Sequence, residues 1–326
     1  MRSELLRLLR QADDYVSGQQ LCSRFGVSRT AVWKAIRQLQ EAGYEIDAVN
    51  NRGYRLLSAP NLLTADEIRS RLCTSFMGQN CICLNSVDST NNYVKKLAED
   101  GAEEGTLVLA EEQTGGKGRR GRAWATPKDK NIAMSLLLRP KVHPAHASQL
   151  TLLMAMAVGK AIRSCTGLEA GIKWPNDIVV NGRKVCGILT EMNTEVDYIN
   201  YVVIGTGINV NQREFSGELS GIAGSLYQNL GQETSRAAIV AASMDELERL
   251  YGIFLQTEDL SALKDEYNRV CVNCGHGIRV MEQSEAYTGT TEGINGHGEL
   301  VVRKDSGEEV LVYAGEVSVR GLYGYT

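Results

Sequence analysis

The chain has 326 residues, 43% of them hydrophobic, and a formal net charge of −4. This length predicts two or three domains, and the charge excludes a uniformly basic nucleic-acid binder but not a locally basic module. No secretory signal is visible, and the most apolar helical run (150–158) is about half as long as a bilayer requires, so no membrane association is expected. Eight scattered cysteines indicate reduced thiols, and a cytoplasmic location is expected.

Residues 1–57 form a basic module, because nine Lys and Arg oppose six Asp and Glu and give a charge of +3. Three helices are predicted here, near residues 5–9, near residues 17–25 and after Ser28, which is a good N-cap. Two strands, 45–49 and 54–57, follow as a hairpin. This order is typical of a winged helix-turn-helix domain, which we place at residues 1–58.

The exposed face of the third predicted helix and the tip of the hairpin are cationic. A DNA-binding domain needs cations at these two places, to neutralise phosphates and to reach base edges. The residues predicted to bind DNA are Arg29, Thr30, Trp33, Lys34, Arg37 and Arg52. A small helical protein–protein module is the alternative, and the placement of the cations favours DNA. Residues 58–61 resemble a linker, after which Thr64 starts a helix with a capping signature.

A second predicted domain, 62–270, mixes strands and helices. The predicted strands are 81–87, 106–111, 131–138, two strands on either side of Pro175, and 198–205, and the predicted helices are 93–98 and 148–165. A polar cluster at 88–92 lies between a strand and a helix, where free backbone N–H groups commonly bind ligands. A plain helix cap is the compatible alternative.

The most distinctive stretch is 115–122, which packs four glycines and four cations into eight residues. Glycines let the backbone approach a ligand closely, and a flexible cationic loop suits a phosphate or another anion. A solvated surface loop is the alternative. The stretch also satisfies G-x-G-x-x-G, but residues 122–127 do not begin the helix that a dinucleotide fold requires. No P-loop motif is present, so both common nucleotide folds are disfavoured.

The last 56 residues (271–326) alternate between short strands and turns. The predicted strands are 277–281, 286–294, 299–303, 309–313 and 317–320, which together indicate a small SH3-like β-barrel. Cys271, Cys274 and His276 look like half of a zinc knuckle. Cys81 and Cys83 do not have the spacing of the other half, so a zinc site is disfavoured.

Taken singly, each polar stretch of the central domain has an ordinary structural explanation. Together and in this order, they resemble the biotin protein ligases, in particular the bifunctional type that also represses an operon. The resembling stretches are Asp88–Asn91, Gln113, the basic loop with Trp124, Lys173–Asp177, Arg183–Lys184 with Gly187–Leu189, and Gly205–Asn209. The resemblance covers essentially the whole chain and implies an α/β (α+β) fold, with a class II synthetase-like mixed sheet between the winged helix and the barrel. Lys117 departs from the arginine frequent in the family, which keeps the charge but loses the bidentate fork.

The resemblance implies a two-step reaction. Biotin and ATP give biotinyl-5′-AMP, and biotin then passes to a lysine of the biotin carboxyl carrier protein of acetyl-CoA carboxylase. The implied catalytic residues are Lys117, Arg119 and Lys184. Biotin contacts are implied for Ser89, Thr90, Asn91, Gln113, Lys117, Gly118, Arg119 and Lys184. Adenylate contacts are implied for Arg120, Arg122, Trp124, Lys173, Asn176, Asn209 and Arg320. Asp177 is expected to hold Mg²⁺ or to assist the incoming amine.

The resemblance also implies regulation, in which biotinyl-AMP promotes a homodimer that binds operator DNA. Two alternatives remain open at this point. The winged helix no longer regulates, or the protein is a lipoate-type ligase, which shares the central fold. The N-terminal module and the pairing of Ser-Thr-Asn with a basic loop favour biotin over lipoate.

Overall fold

A computed structural model describes residues 1–281, 286–313 and 318–321, the last four by their backbone alone. Three helices and a hairpin come first, a seven-stranded mixed sheet with helices follows, and a five-stranded antiparallel sheet ends the described chain. This order confirms the α/β class and the predicted three-part architecture. Among the described residues, no helix has both the length and the apolar character needed to cross a membrane.

The N-terminal part has the predicted winged helix-turn-helix elements. They are α1 (Arg2–Gln11), α2 (Gly18–Phe25), α3 (Arg29–Glu41), β1 (Glu45–Val49) and β2 (Gly53–Ser58). Ser17 and Ser28 cap α2 and α3 by accepting hydrogen bonds from the backbone N–H groups of Gln20 and Ala31. Gly26 ends α2 at φ 63°, a left-handed conformation that glycine adopts without strain. Leucines of α1 and the apolar stripe of α3 both belong to a separate small core.

The helix predicted after Thr64 is α4 (Ala65–Arg69), and it joins the N-terminal part to the rest. Glu67 of α4 is 1% exposed and accepts hydrogen bonds from Arg10 at 2.5 Å, from Tyr44 at 2.6 Å and from Arg71 at 2.9 Å. Arg10 and Tyr44 belong to the winged-helix part. A buried carboxylate therefore links the two parts of the chain.

The central sheet has the strand order β3-β4-β5-β9-β8-β7-β6, with β3 and β4 parallel and the other pairs antiparallel. The strands are β3 (Cys81–Val87), β4 (Leu107–Gln113), β5 (Ile132–Leu138), β6 (Gly171–Lys173), β7 (Asp177–Val180), β8 (Arg183–Thr194) and β9 (Ile199–Ile208). Every strand predicted for this domain is present, with ends displaced by a few residues. The register of β8 on β9 aligns Gly187 with Gly207, which matters for the site described below.

The helices of the central domain cover both faces of the sheet. They are α5 (Thr90–Glu99), α6 (Gln149–Thr166), α7 (Leu226–Leu230), α8 (Arg236–Thr257) and α9 (Lys264–Val270). Helices α6 and α8 pack together within the main core, and α5 packs on the opposite face with Val108, Leu137 and Val203. Helices α7, α8 and α9 have no counterpart among the predicted elements, although Ser235 caps α8 in the ordinary way.

The C-terminal sheet has the order β13-β12-β11-β10-β14. Its strands are β10 (Gly277–Met281), β11 (Ala286–Ile294), β12 (Leu300–Lys304), β13 (Glu309–Val312) and β14 (Ser318–Gly321). Its apolar residues belong to the same core cluster as those of the central sheet, and Trp174 donates a hydrogen bond to the Gly298 carbonyl at 3.1 Å. Residues 282–285, 314–317 and 322–326 of this predicted domain lie outside the described residues.

Candidate active site

A pocket lies on the face of the central sheet that carries α5, and glycines form its floor. A Cβ atom at Gly205 would lie 2.2 Å from Oδ1 of Asn91, and one at Gly207 would lie 2.3 Å from the Trp124 ring. Both positions therefore require glycine, because the neighbouring side chains already occupy the space of a Cβ. Ser89, Thr90, Asn91, Gln113, Lys117, Gly118, Arg119, Trp124, Asn176 and Lys184 are the predicted site residues that line this pocket.

One wall of the pocket is polar and comes from the start of α5. The side-chain carbonyl of Gln113 accepts hydrogen bonds from the Thr90 backbone N–H at 2.8 Å and from the Thr90 hydroxyl at 3.0 Å. The Ser135 hydroxyl of β5 lies 2.7 Å from the Thr90 hydroxyl and 2.6 Å from Oδ1 of Asn91. Thr90, Asn91 and Ser135 are buried, so this wall is rigid and presents defined hydrogen-bonding groups.

A carboxylate continues this wall toward the surface. Glu191 of β8 accepts a hydrogen bond from Nδ2 of Asn91 at 2.7 Å and another from Nζ of Lys95 at 2.5 Å. Burial acts to raise the pKa of Glu191, but these two hydrogen bonds and the charge of nearby Lys117 outweigh it, so the pKa lies below its ordinary value. Glu191 is therefore a carboxylate at neutral pH.

The basic loop is folded as a narrow hairpin. Gln113 pairs with Thr126 and Lys117 with Ala123, and Trp124 donates its backbone N–H to the Gly116 carbonyl at 2.9 Å. The Trp124 indole reaches the pocket floor, and its Nε1 is buried with no hydrogen-bond partner among the described residues. Backbone pairing of the loop thus places an indole against the glycines of β8 and β9.

Cationic and amide groups face the floor from the other side. Nζ of Lys184 lies 2.5 Å from Oδ1 of Asp177 and 5.6 Å from the centre of the Trp124 ring. Arg119 donates a hydrogen bond to Oδ1 of Asn176 at 3.1 Å. Burial lowers the pKa of Arg119, and the Asp177 carboxylate opposes that effect. These groups concentrate positive charge on one side of the pocket, which suits an anion.

Other residues predicted to contact the adenylate do not line this pocket. Arg120 and Arg122 are exposed, and Lys173 is buried at 6% exposure in β6. Asn209 is buried, donates to the Gly224 carbonyl at 3.0 Å and faces Asn131 at 3.4 Å, so protein groups occupy its side chain. The backbone of Arg320 lies in β14, and its side chain lies outside what the structure describes.

The sequence did not single out several groups that complete the site. Ser135 and Glu191 hold Asn91, and Met134 and Thr206 line the pocket. Ser135 is a small polar residue inside an apolar strand, and Glu191 lies two residues beyond Leu189, so it shares the face of β8 that carries Gly187 and Leu189. Those two signals are present in the sequence, but neither indicates a partner.

The surface predicted to bind DNA is exposed as expected. Residues Arg29, Thr30, Trp33, Lys34 and Arg37 all lie on the outer face of α3, and Trp33 is 51% exposed. The Arg37 guanidinium lies 5.4 Å from the centre of the Trp33 ring. Arg52 at the hairpin tip donates hydrogen bonds at 3.0 Å to both carboxylate oxygens of Asp14, so this cation is partly neutralised.

The cysteine groups do not assemble into a metal site within the described residues. Sγ of Cys81 lies 3.8 Å from Sγ of Cys83 in β3, whereas Cys271 and Cys274 lie beside the C-terminal sheet. No cluster of three or more His, Cys, Asp or Glu able to hold an ion occurs in the described ranges. The eight cysteines are unpaired thiols.

Comparison with known proteins follows the same three-part division. The Biotin/lipoate A/B protein ligase family matches residues 83–209, an HTH domain matches 2–55, and the Biotin protein ligase C terminal domain matches 274–320. The bifunctional ligase/repressor BirA of Bacillus spizizenii is 38% identical over 322 residues, which are 98% of this chain and 98% of that protein. BirA of Escherichia coli is 29% identical over 97% of this chain and 96% of that protein.

A solved structure agrees with these relatives. The biotin protein ligase from Aquifex aeolicus, in complex with biotin and ATP, superposes with a TM-score of 0.65 at 27% identity, over 74% of this chain and 99% of that one. The Bacillus spizizenii ligase/repressor, by contrast, matches 98% of this chain, whose N-terminal residues 2–55 match an HTH domain. The chain belongs to the biotin protein ligase family, in the three-domain form of the bifunctional ligase/repressors.

Proposed function

We propose that the protein is a biotin protein ligase that also represses biotin synthesis genes. The observation that carries the ligase activity is the pocket itself, in which Thr90 and Gln113 form a polar wall, and Lys184 and Arg119 face them across a glycine floor. A pocket of this kind fits a molecule with a hydrogen-bonding ring at one end and a carboxylate at the other. Biotin has this chemistry.

Biotin binding is assigned to the polar wall and the adjoining loop. The ureido ring of biotin has both N–H donors and a carbonyl acceptor, which Ser89, Thr90, Asn91 and Gln113 complement. Gly205 and Gly207 leave room for the Asn91 amide and the Trp124 indole, which would lie 2.2 Å and 2.3 Å from a Cβ at those positions, and these two groups border the proposed biotin site. Lys117, Gly118, Arg119 and Lys184 then surround the carboxylate end.

The first step joins biotin to AMP. A carboxylate oxygen of biotin attacks the α-phosphorus of ATP, the bond from that phosphorus to the bridging oxygen breaks, and pyrophosphate leaves. Two anions must approach one another, so the nearby cations Lys117, Arg119 and Lys184 lower the barrier. The loop also excludes water from the mixed anhydride, which would otherwise hydrolyse. Arg120, Arg122, Trp124, Lys173, Asn176, Asn209 and Arg320 remain proposed contacts of the adenylate.

The second step transfers biotin to a protein. A lysine amine of the biotin carboxyl carrier protein of acetyl-CoA carboxylase attacks the acyl carbon, an amide forms, and AMP leaves with the electrons of the broken C–O bond. The amine loses one proton in this step. Asp177, 2.5 Å from Lys184, is the carboxylate that we assign to assist that proton transfer.

Magnesium is proposed only as an ion that arrives with ATP. Asp177 already pairs with Lys184, and the described residues provide no cluster of three or more metal-binding side chains. Mg²⁺ commonly binds through substrate phosphates with few protein ligands. The donor set at Asp177 does not make a magnesium site by itself, so we assign no step to the ion.

The repressor activity rests on the winged helix and on the full-length similarity to ligase/repressors. We propose that biotinyl-5′-AMP promotes a homodimer, and that two α3 helices then bind a two-fold operator. The basic loop, 115–122, connects this regulation to catalysis, because its ordering around the adenylate would report biotin status. A protein with reduced thiols and a DNA target is proposed to work in the cytoplasm.

Two assays test these proposals separately. A streptavidin blot after incubation with biotin, ATP and a biotin acceptor domain should show a labelled acceptor. Labelling with lipoate in place of biotin would instead support the lipoate-type alternative. Operator footprints should strengthen when biotin and ATP are added, whereas footprints unchanged by both compounds would leave a ligase with a non-regulatory winged helix.

A further inference from the structure

Five side chains form a continuous hydrogen-bonded network behind the polar wall. Lys95 donates to Glu191 at 2.5 Å, Glu191 accepts from Nδ2 of Asn91 at 2.7 Å, and Oδ1 of Asn91 lies 2.6 Å from the Ser135 hydroxyl. Ser135 in turn lies 2.7 Å from the Thr90 hydroxyl. The network runs from a surface ammonium group to a hydroxyl that lines the pocket.

The chemistry of these groups fixes the direction of each hydrogen bond. A carboxylate only accepts, so the atom of Asn91 that faces Glu191 must be its amide nitrogen. The amide oxygen therefore faces Ser135, and because that oxygen only accepts, Ser135 must donate to it. A serine hydroxyl has one proton, so Ser135 has none left to donate to Thr90.

The Thr90 hydroxyl is constrained in the same way by the groups around it. Its neighbours among the described protein groups are Ser135 at 2.7 Å and the side-chain carbonyl of Gln113 at 3.0 Å. Both can only accept a proton from Thr90 in this arrangement. Whichever of the two receives it, the proton points into the protein, and a lone pair of Thr90 remains for the pocket.

We propose that Glu191, held by Lys95, is a positioning residue that makes Thr90 a hydrogen-bond acceptor and so selects a ligand that presents an N–H group there. The inference rests on the proposed function, in which the ureido ring of biotin supplies this N–H. Glu191 does not line the pocket and contacts no reacting atom. It acts through Asn91 and Ser135.

Two further observations support a fixed Asn91. Gly205 leaves room for the amide, since a Cβ there would lie 2.2 Å from its oxygen. Asn91 is 5% exposed, so rotation of the amide would bury an unpaired donor or acceptor at a cost greater than the bond itself. The ionised Glu191 supplies the strongest acceptor of the network, because hydrogen bonds to charged groups exceed those between neutral groups.

The test is a double-substitution cycle in the full-length protein, read by biotin-dependent ATP–pyrophosphate exchange. Glu191→Ala should raise the KM for biotin about tenfold, the loss of roughly one hydrogen bond, with the KM for ATP and kcat within about twofold of the parent. Glu191→Gln should stay within about threefold, because its side-chain carbonyl still accepts from Asn91. In a Thr90→Val background, which has no hydroxyl to orient, Glu191→Ala should change the biotin KM no further.

The controls separate this inference from other roles. Lys96→Met removes an exposed charge from α5, the helix that also carries Lys95, but leaves the hydrogen-bonded network intact, so the biotin KM should not change. Lys95→Met, which removes a member of the network, should raise the biotin KM about threefold. An equal effect of Glu191→Ala in both backgrounds would overturn the inference and would point to Lys117, whose charge Glu191 also senses. Absence of exchange by the unsubstituted protein would instead reject the ligase function itself.

Discussion

Nζ of Lys184 lies 2.5 Å from Oδ1 of Asp177, in adjacent antiparallel strands at the edge of the pocket. The two side chains are 23% and 14% exposed, so water screens the pair only in part. The pairing holds the ammonium group below the Trp124 ring and beside the position proposed for the carboxylate and phosphate. An incoming anion would share this lysine with Asp177.

Removal of that ammonium group should slow adenylation. We expect Lys184→Ala to reduce biotin-dependent ATP–pyrophosphate exchange by about 100-fold or more, because a preorganised charge at the developing bond is lost. Arg119→Ala should act in the same direction. Lys160→Ala, which removes a lysine 53% exposed and paired with Glu246, is the control and should leave exchange unchanged. Full exchange in the Lys184 and Arg119 variants would refute their catalytic role.

The close approach of Trp124 to Gly207 makes a second prediction. Gly207→Ala should displace the indole, because the new Cβ would lie 2.3 Å from the ring. We expect bound biotinyl-5′-AMP to dissociate at least about fivefold faster, as measured by rapid dilution of the loaded protein, since about 1 kcal/mol of contact is lost. Gly221→Ala is the matched control, because no atom lies within 4 Å of its Cβ position. Equal dissociation rates in both variants would remove Trp124 from the adenylate site.

A third prediction concerns the buried Glu67, which links the winged-helix part to the rest of the chain. Glu67→Ala would leave Arg10 and Tyr44 of the winged-helix part without their shared acceptor. We expect the free energy of unfolding to fall by about 3 kcal/mol, because breaking a buried ion pair leaves a desolvated charge. Chemical denaturation measures this loss, and limited proteolysis should cut residues 59–64 faster. The control Glu41→Ala, at an exposed position, should change neither the free energy of unfolding nor the rate of proteolysis. A Glu67→Ala variant as stable as the parent would contradict the assignment of Glu67 as the link between the two parts of the chain.

The cationic face of α3 makes a fourth prediction. Lys34→Ala should weaken binding to an operator fragment from the biotin synthesis genes and should reduce the slope of log K against log salt by about 1, because one phosphate contact is lost. Fluorescence anisotropy across a salt series gives both quantities. Gln38 is exposed on the same helix and carries no charge, so Gln38→Ala should leave the slope of log K against log salt equal to that of the parent. A Lys34 slope that also stays unchanged would place DNA on another surface.

Local patterns were sufficient to predict most elements of this fold. The apolar spacing of α3, the caps Ser17 and Ser28, and the hairpin at the wing all depend on residues that are neighbours in the chain. Helix α8 was missed because residues 237–242, near its start, are entirely apolar, so a polar face begins only with the charged residues Asp245, Glu246 and Arg249. Helix α8 is buried between elements that lie far apart in the sequence, and this burial arises only when the core packs.

The residues of the site divide in the same way. The sequence by itself determined that Ser89, Thr90, Gln113, the basic loop and Lys184 are present in the order of a biotin protein ligase. The resemblance implied an adenylate contact for Asn209, but β9 ends at Ile208, and the Asn209 side chain donates to the Gly224 carbonyl.

Only the tertiary structure decided which distant groups meet. Glu191 and Asn91 are 100 residues apart, and their contact depends on the register of β8 on β9 and on the seat of α5 against that face. Neither property has a local signal, because strand order and register follow from burial of whole faces. The sequence thus determines the chemistry available to the site, whereas packing of the sheet determines which hydrogen bonds orient it.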